Sequence, residues 1–346
     1  MTRSRAARPR CGPALCRNLE GVTYAYHRMF RILPTYRWWK PLLAALLGLV
    51  LYLVMSVFIW QLGLLETVRA IGGNAAATDL AKAVSKDQQN ASNPLVMLYT
   101  LGSLATMLPA VVLAVRITGL GSFGRLMSVR GRVRWRWLAR CILPGVVYMV
   151  LQIGLGALVP ASWQGAASSE QAASTPPLAL AASIVIIVLL VPFQAAGEEF
   201  AFRGFGMQAL GSWVRWPVVA ILVPTVGFAF AHAYNPWGKL DVAVLGVAFA
   251  YLTWRTGGLE AGVVAHVVNN VVVFVLAAPF VTSTQSDGSP IGAAITLVAS
   301  GAYVLMVVGL ARRHRPERVA PASVVDEPLG VVHRSGPPAS GVGGAS

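Results

Sequence analysis

The chain has 346 residues, of which 56% are hydrophobic and only 12% charged, with a formal charge of +15. A soluble domain carries roughly 25% charged residues, and apolar runs of about twenty residues, enough to cross the hydrocarbon core of a bilayer, recur along this sequence. The composition therefore excludes a soluble fold and predicts an all-α, polytopic membrane helical bundle. Nor does the positive charge mark a nucleic-acid surface. The arginines lie in the first 40 residues, around 116–140 and after 311, outside most of the apolar runs, which is the positive-inside pattern.

In chain order, residues 1–40 read as a basic cytoplasmic leader, and the first apolar run starts too late to be a secretory signal. Candidate spans follow at about 41–63, 94–115, 138–160, 178–200, 217–235, 240–255, 258–281 and 290–311, which makes about eight transmembrane helices. The stretch 64–93 is expected outside as a short surface helix, and 161–177 as a plain connector. Three helices and their loops fill 41–177, a polar-decorated core fills 178–312, and 313–346 reads as a disordered tail rich in Pro, Gly and Ser. The basic clusters before span one, between spans two and three, and after span eight all fit one orientation. Both termini are then cytoplasmic, in a protein integral to the plasma membrane. Trp135 and Trp137, set among arginines, read as an interfacial belt. Cys11, Cys16 and Cys141 form no disulfide or metal pattern. No internal repeat is visible.

Ionisable groups inside a bilayer are costly and usually face a cavity or a partner. The first three predicted spans have almost none. From the fourth onward they gather as Glu198, Glu199 and Arg203, then His232, then His266 with Asn269 and Asn270. Glu199 and Arg203, four residues apart, share a helix face and are expected to pair. Glu198 points about a quarter-turn away without its own cation, the setting of a general base. Phe228 lies one turn before His232, and His266 one turn before Asn270. At 1.5 Å per residue, the hairpin arms between Glu198, His232 and His266 bring the three groups to nearly the same depth. Singly, each has a bland reading: a helix-end carboxylate, a packing histidine, an interhelical asparagine. A proton-coupled transporter built on the same residues is a second class of function, although transporters tend to show duplicated halves. A non-catalytic membrane immunity or scaffold protein is a third.

"EEFAFR", "FAFAH" and "HVVNN" have the forms Glu-Glu-x-x-x-Arg, Phe-x-x-x-His and His-x-x-x-Asn. In this order on separate predicted helices, over roughly 178–281, they resemble the CAAX-processing and bacteriocin-processing (CPBP) family. That family includes type II CAAX prenyl endopeptidases and bacterial self-immunity proteins. The resemblance implies an intramembrane endopeptidase acting on a peptide or protein with a membrane-proximal cleavage site. Glu198 would activate water with His232 assisting, Glu199 and Arg203 would support, and His266 and Asn270 would hold the oxyanion. In a second version Glu198, His232 and His266 would bind Zn²⁺. The motif His-Glu-x-x-His is absent, and at this level the metal and metal-free versions both stand.

Overall fold

In the computed structural model, the described residues are 23–160, 163, 174–280 and 288–321. They form eight long helical stretches. These are α1 (Lys40–Lys86), α2 (Pro94–Ile117), α3 (Trp135–Ala157), α4 (Pro177–Trp213), α5 (Pro217–Phe230), α6 (Pro236–Thr256), α7 (Glu260–Ala277) and α8 (Pro290–His314). A two-stranded antiparallel ribbon, β1 (Thr23–Ala25) with β2 (Val319–Pro321), joins the two ends of the described chain. Local chemistry starts the helices: Pro41, Pro94, Pro177, Pro217, Pro236 and Pro290 occupy first-turn positions, where a missing N–H costs nothing. Asn93, Asn235 and Ser289 add side-chain caps. Gly257, left-handed at φ 74°, ends α6 in the stretch "RTGG".

Among the described residues, six of the eight helices are long and apolar enough to cross a membrane, so the expected eight spans are not all of one kind. α5 is apolar but has only 14 residues, while α6 carries Lys239, Asp241 and Arg255. α5 keeps an exposed apolar face at Val218, Leu222, Val226 and Phe230, while Lys239, Asp241 and Arg255 of α6 are partly covered. α1 is longer than expected: its helix continues through 65–86, the stretch read as a surface segment, with a break at Gly73 (φ 77°, ψ −178°). Its outer side, including Leu46, Leu49, Leu53 and Phe58, is exposed, an apolar face that only lipid can cover.

The helices run alternately between two ends of the bundle. At one end, Arg31 Nε donates to the Ser212 carbonyl at 2.7 Å, Trp213 Nε1 to that of Trp38 at 2.8 Å, and Thr35 Oγ1 to that of Gly119 at 2.5 Å. At the other, Thr175 Oγ1 donates to the Ala278 carbonyl at 2.7 Å and Asn235 Nδ2 to that of Gly288 at 2.9 Å. The first end is also where the leader and tail differ from expectation. Tyr26 and Phe30 are buried against Leu120, Leu126 and Leu259, and His314 completes α8 before residues 319–321 pair as β2, while the tail reading for 322–346 lies outside the described residues. Apolar side chains in the leader find a core there that no local pattern announces.

One buried ion pair ties this end together. Arg134 donates from Nη2 and Nε to the two Glu260 carboxylate oxygens at 2.6 and 2.8 Å, and from Nη1 to the carbonyls of Thr256 and Glu317 at 2.8 and 2.9 Å. It clamps the start of α3, the α6–α7 turn and the C-terminal segment with one guanidinium. Removing one partner strands a buried charge, which costs about 3–5 kcal/mol. Arg134→Met or Glu260→Gln is therefore expected to lower the unfolding temperature in detergent by on the order of 10 °C. An exposed-arginine control, Arg136→Met, is expected to change it little.

Candidate active site

Helices α2 to α7 enclose a cavity of about 330 Å³ whose wall includes Gln194, Glu198, Phe228, His232, His266 and Asn270. The polar residues singled out in the sequence thus come to one place from two helices and one turn. α4 stays helical through Pro192 and is α-wound to Glu198, then switches to a π-wound turn over Glu199–Gly206. Such wide turns recur at functional sites because they re-aim side chains without ending the helix. Here two adjacent glutamates take different surroundings. Glu198 borders the cavity, whereas Glu199 and Arg203 are wholly buried in the bundle.

Arg203 Nη1 meets Glu199 Oε1 at 3.1 Å, and its guanidinium carbon stacks 4.0 Å over the Phe228 ring, so the buried cation has a carboxylate and an aromatic face. The same Glu199 oxygen accepts from His266 Nδ1 at 2.9 Å. The other ring nitrogen, Nε2, lies 3.3 Å from Glu198 Oε2. His266 therefore bridges the two glutamates, and Glu198 has a partner that helix spacing alone did not predict. Two glycines make this arrangement fit. A β-carbon at Gly262 would sit 2.9 Å from Glu199 Oε2, and one at Gly246 would sit 2.8 Å from both Arg203 Nη2 and the Thr225 methyl. Gly197 faces the α2 backbone at Leu108, where a β-carbon would come to 3.1 Å, so its lack of a side chain lets the two helices approach closely.

His232 lies just past the end of α5, partly exposed. Its Nδ1 is 2.8 Å from the Phe228 carbonyl, a contact that requires Nδ1–H to donate and leaves Nε2 as an acceptor. It is more than 4.0 Å from either glutamate's oxygens, because no ion pair joins them. The Phe228 ring stands between the imidazoles, its centroid 4.7 Å from His232 and 6.0 Å from His266.

A chain of amides links Glu198 to the far wall. Tyr148 Oη donates to Asn269 Oδ1 (2.9 Å), Asn269 Nδ2 to Asn270 Oδ1 (3.0 Å), Asn270 Nδ2 to Gln194 Oε1 (3.1 Å), and Gln194 Nε2 to Glu198 Oε1 (2.7 Å). Every link runs in the same sense, so the chain delivers one N–H to one carboxylate oxygen. Gln194 and Tyr148 escaped the sequence reading. Gln194 was detectable, being one turn before Glu198, but an uncharged amide in an apolar run carries little signal. Tyr148 had none, since only packing brings α3 beside α7.

A catalytic zinc site needs three protein ligands around one point. Among the described residues no three His, Cys, Asp or Glu side chains are grouped closely enough to hold a metal. Glu198 and His266 face each other across 3.3 Å, and His232 stands off behind Phe228. The residues in this arrangement do not fit a zinc centre.

This geometry defines a class: an integral membrane helical bundle with a buried, histidine-bridged carboxylate pair beneath a cavity. Residues 179–272, from α4 into α7, match the family model described as "Type II CAAX prenyl endopeptidase Rce1-like", so the resemblance carried by the three motifs holds at the level of a membrane endopeptidase family. The "Uncharacterized protein YyaK" of Bacillus subtilis (strain 168) is 27% identical over 192 residues, 53% of this chain. The match spans 62% of that relative's length. No solved structure matches the chain significantly.

Overpacking a filled site costs about 1–3 kcal/mol. Gly246→Ala and Gly262→Ala are each expected to destabilise the protein by about that much and to lower activity, whereas Gly301→Ala, with open space around it, leaves both unchanged. Thermal unfolding and a cleavage assay on the same preparations check this.

Proposed function

We propose that this protein is an intramembrane endopeptidase in which Glu198 activates the hydrolytic water and Nε2 of His266, 3.3 Å from Glu198 Oε2, donates to the developing oxyanion. The observation that carries this reading is His266 held between Glu198 and the Glu199–Arg203 pair at the floor of a cavity. Glu199 accepts from Nδ1, so Nε2 is the ring nitrogen that faces the reaction. When Glu198 takes a proton from water, the hydroxide oxygen bonds to the carbonyl carbon and negative charge moves to the carbonyl oxygen. His266 Nε2–H donates to that oxygen, which places a donor where the charge develops. Glu198 returns the proton to the leaving nitrogen as the C–N bond breaks.

His232, with an open Nε2 acceptor on the same cavity, orients the water. The Asn270 N–H not used by Gln194 adds a second donor for the oxyanion. The Gln194 amide fixes the rotamer of Glu198 so that its other oxygen meets His266. No step uses a metal. The physiological act proposed is processing of a peptide or of a protein's terminal segment, with self-protection against a bacteriocin as one setting for it.

Glu198→Gln keeps the size and removes the base, and is expected to lower kcat about 10²–10⁴-fold with the unfolding temperature unchanged. Gln194→Leu is expected to lower kcat less and to leave KM unaltered. Chelation is expected to leave wild-type cleavage intact. Undiminished cleavage by Glu198→Gln, read by mass spectrometry of a reporter peptide, would remove this mechanism.

A further inference from the structure

The two ends of the bundle differ sharply in charge. At the end that holds β1 and β2, the connections outside the α6–α7 turn carry arginine: Arg31 and Arg37 before α1, Arg130 and Arg132 between α2 and α3, Arg215 between α4 and α5. Arg255 closes α6 and Arg312 and Arg313 close α8 at the same end. At the opposite end, the stretches 158–176 and 278–289 contain no lysine or arginine at all. Arg69, Lys82 and Lys86 in the second half of α1 are matched by Glu66, Asp79 and Asp87, and Lys239 is followed by Asp241. Short basic connections stay in the cytoplasm, so the arginine-rich end is the cytoplasmic one.

The cavity belongs to the other end. Its rim is formed by Gln89 of the α1–α2 connection, Tyr234 and Gly238 at the start of α6, and Gly288 before α8. Gln89 and the Tyr234 hydroxyl lie 3.4 Å apart across it. Glu198 and His266 form its floor, and no residue of the arginine-rich connections lines it. On the cytoplasmic side of Glu198 the bundle is closed by the buried Glu199, Phe200, Arg203, Leu259 and Glu260. Its lining includes the carboxylates of Glu198 and Asp241 and no lysine or arginine, which disfavours an acidic segment through like-charge repulsion.

We propose that the catalytic cavity opens on the non-cytoplasmic face of the membrane and receives a neutral or basic segment of an exported polypeptide from that side. This rests on the endopeptidase reading above for the fate of the segment, but the side of access does not. It is tested on the full chain with Cys11 and Cys16 changed to serine, Cys141 being buried. Single cysteines report the rim (Gln88→Cys), the cavity wall (Val242→Cys) and the opposite face (Arg132→Cys). In intact cells, a small membrane-impermeant thiol reagent is expected to label Gln88→Cys and Val242→Cys, and to label Arg132→Cys only after permeabilisation.

The reverse pattern would overturn the proposal. Labelling of Gln88→Cys with Val242→Cys protected even after permeabilisation would also overturn it, by showing no entry from the rim. Labelling needs no proteolysis. Expected labelling in a chain that cleaves no reporter would therefore remove the endopeptidase reading and keep the access route. Cleavage of a reporter only when it is held in the cytoplasm would reject the exported substrate.

Discussion

One carboxylate oxygen organises the functional half of this protein. Glu199 Oε1 receives both Arg203 and His266 in a region with no exposure to solvent. A buried ion is tolerated only when its neighbours replace the water it has lost. The bundle replaces part of it with a guanidinium, an imidazole and the face of Phe228 on the guanidinium, while Glu199 Oε2 and Arg203 Nε and Nη2 have no hydrogen-bond partner among the described residues. Other features follow from fitting this group between helices. Gly246 and Gly262 sit where any side chain would enter it, and α6 and α7 approach α4 at those glycines. Because Glu199 fixes Nδ1 of His266, the ring presents Nε2 to Glu198, and the polarity of the site is set before any substrate arrives.

The widened turn after Glu198 divides the labour between adjacent glutamates. The first stays on the cavity wall with a hydrogen-bonded amide and a histidine. The second is withdrawn into the bundle as the permanent counter-charge. A tight pair with Arg203 would hold Glu198 too firmly for proton transfer. The 3.3 Å contact with His266 supplies a partner whose donor can move to another oxygen. On the other side, the amide chain from Tyr148 limits the rotation of Glu198. The same residues also explain why the site is closed toward the arginine-rich end, since the pair that neutralises the site plugs that route.

Much of this was legible in sequence, though unevenly. Glu199 and Arg203 lie four apart in one helix, and a local rule sufficed to pair them. The prolines at 94, 177, 217, 236 and 290 sit where helices begin, a local signal that the reading by apolar runs did not use. The count of spans was less secure. α5 and α6 look like spans by position, but one is short and the other carries charges. Tyr26 and Phe30 were lost in a basic leader, since two apolar residues among arginines show no periodicity.

By itself the sequence determined the class of protein, the grouping of its ionisable residues in the later helices, and the three motifs that relate it to a family of membrane endopeptidases. These rest on composition and on spacings within a turn or two of helix, which the backbone's own geometry enforces. The tertiary structure alone decided that His266 bridges the two glutamates, that Gln194 and Tyr148 extend the site, that Arg134 clamps the far end to Glu260, and that the cavity opens away from the arginines. Each of those joins groups distant in sequence or set by packing, where several helices must settle at once and no local spacing can carry the information.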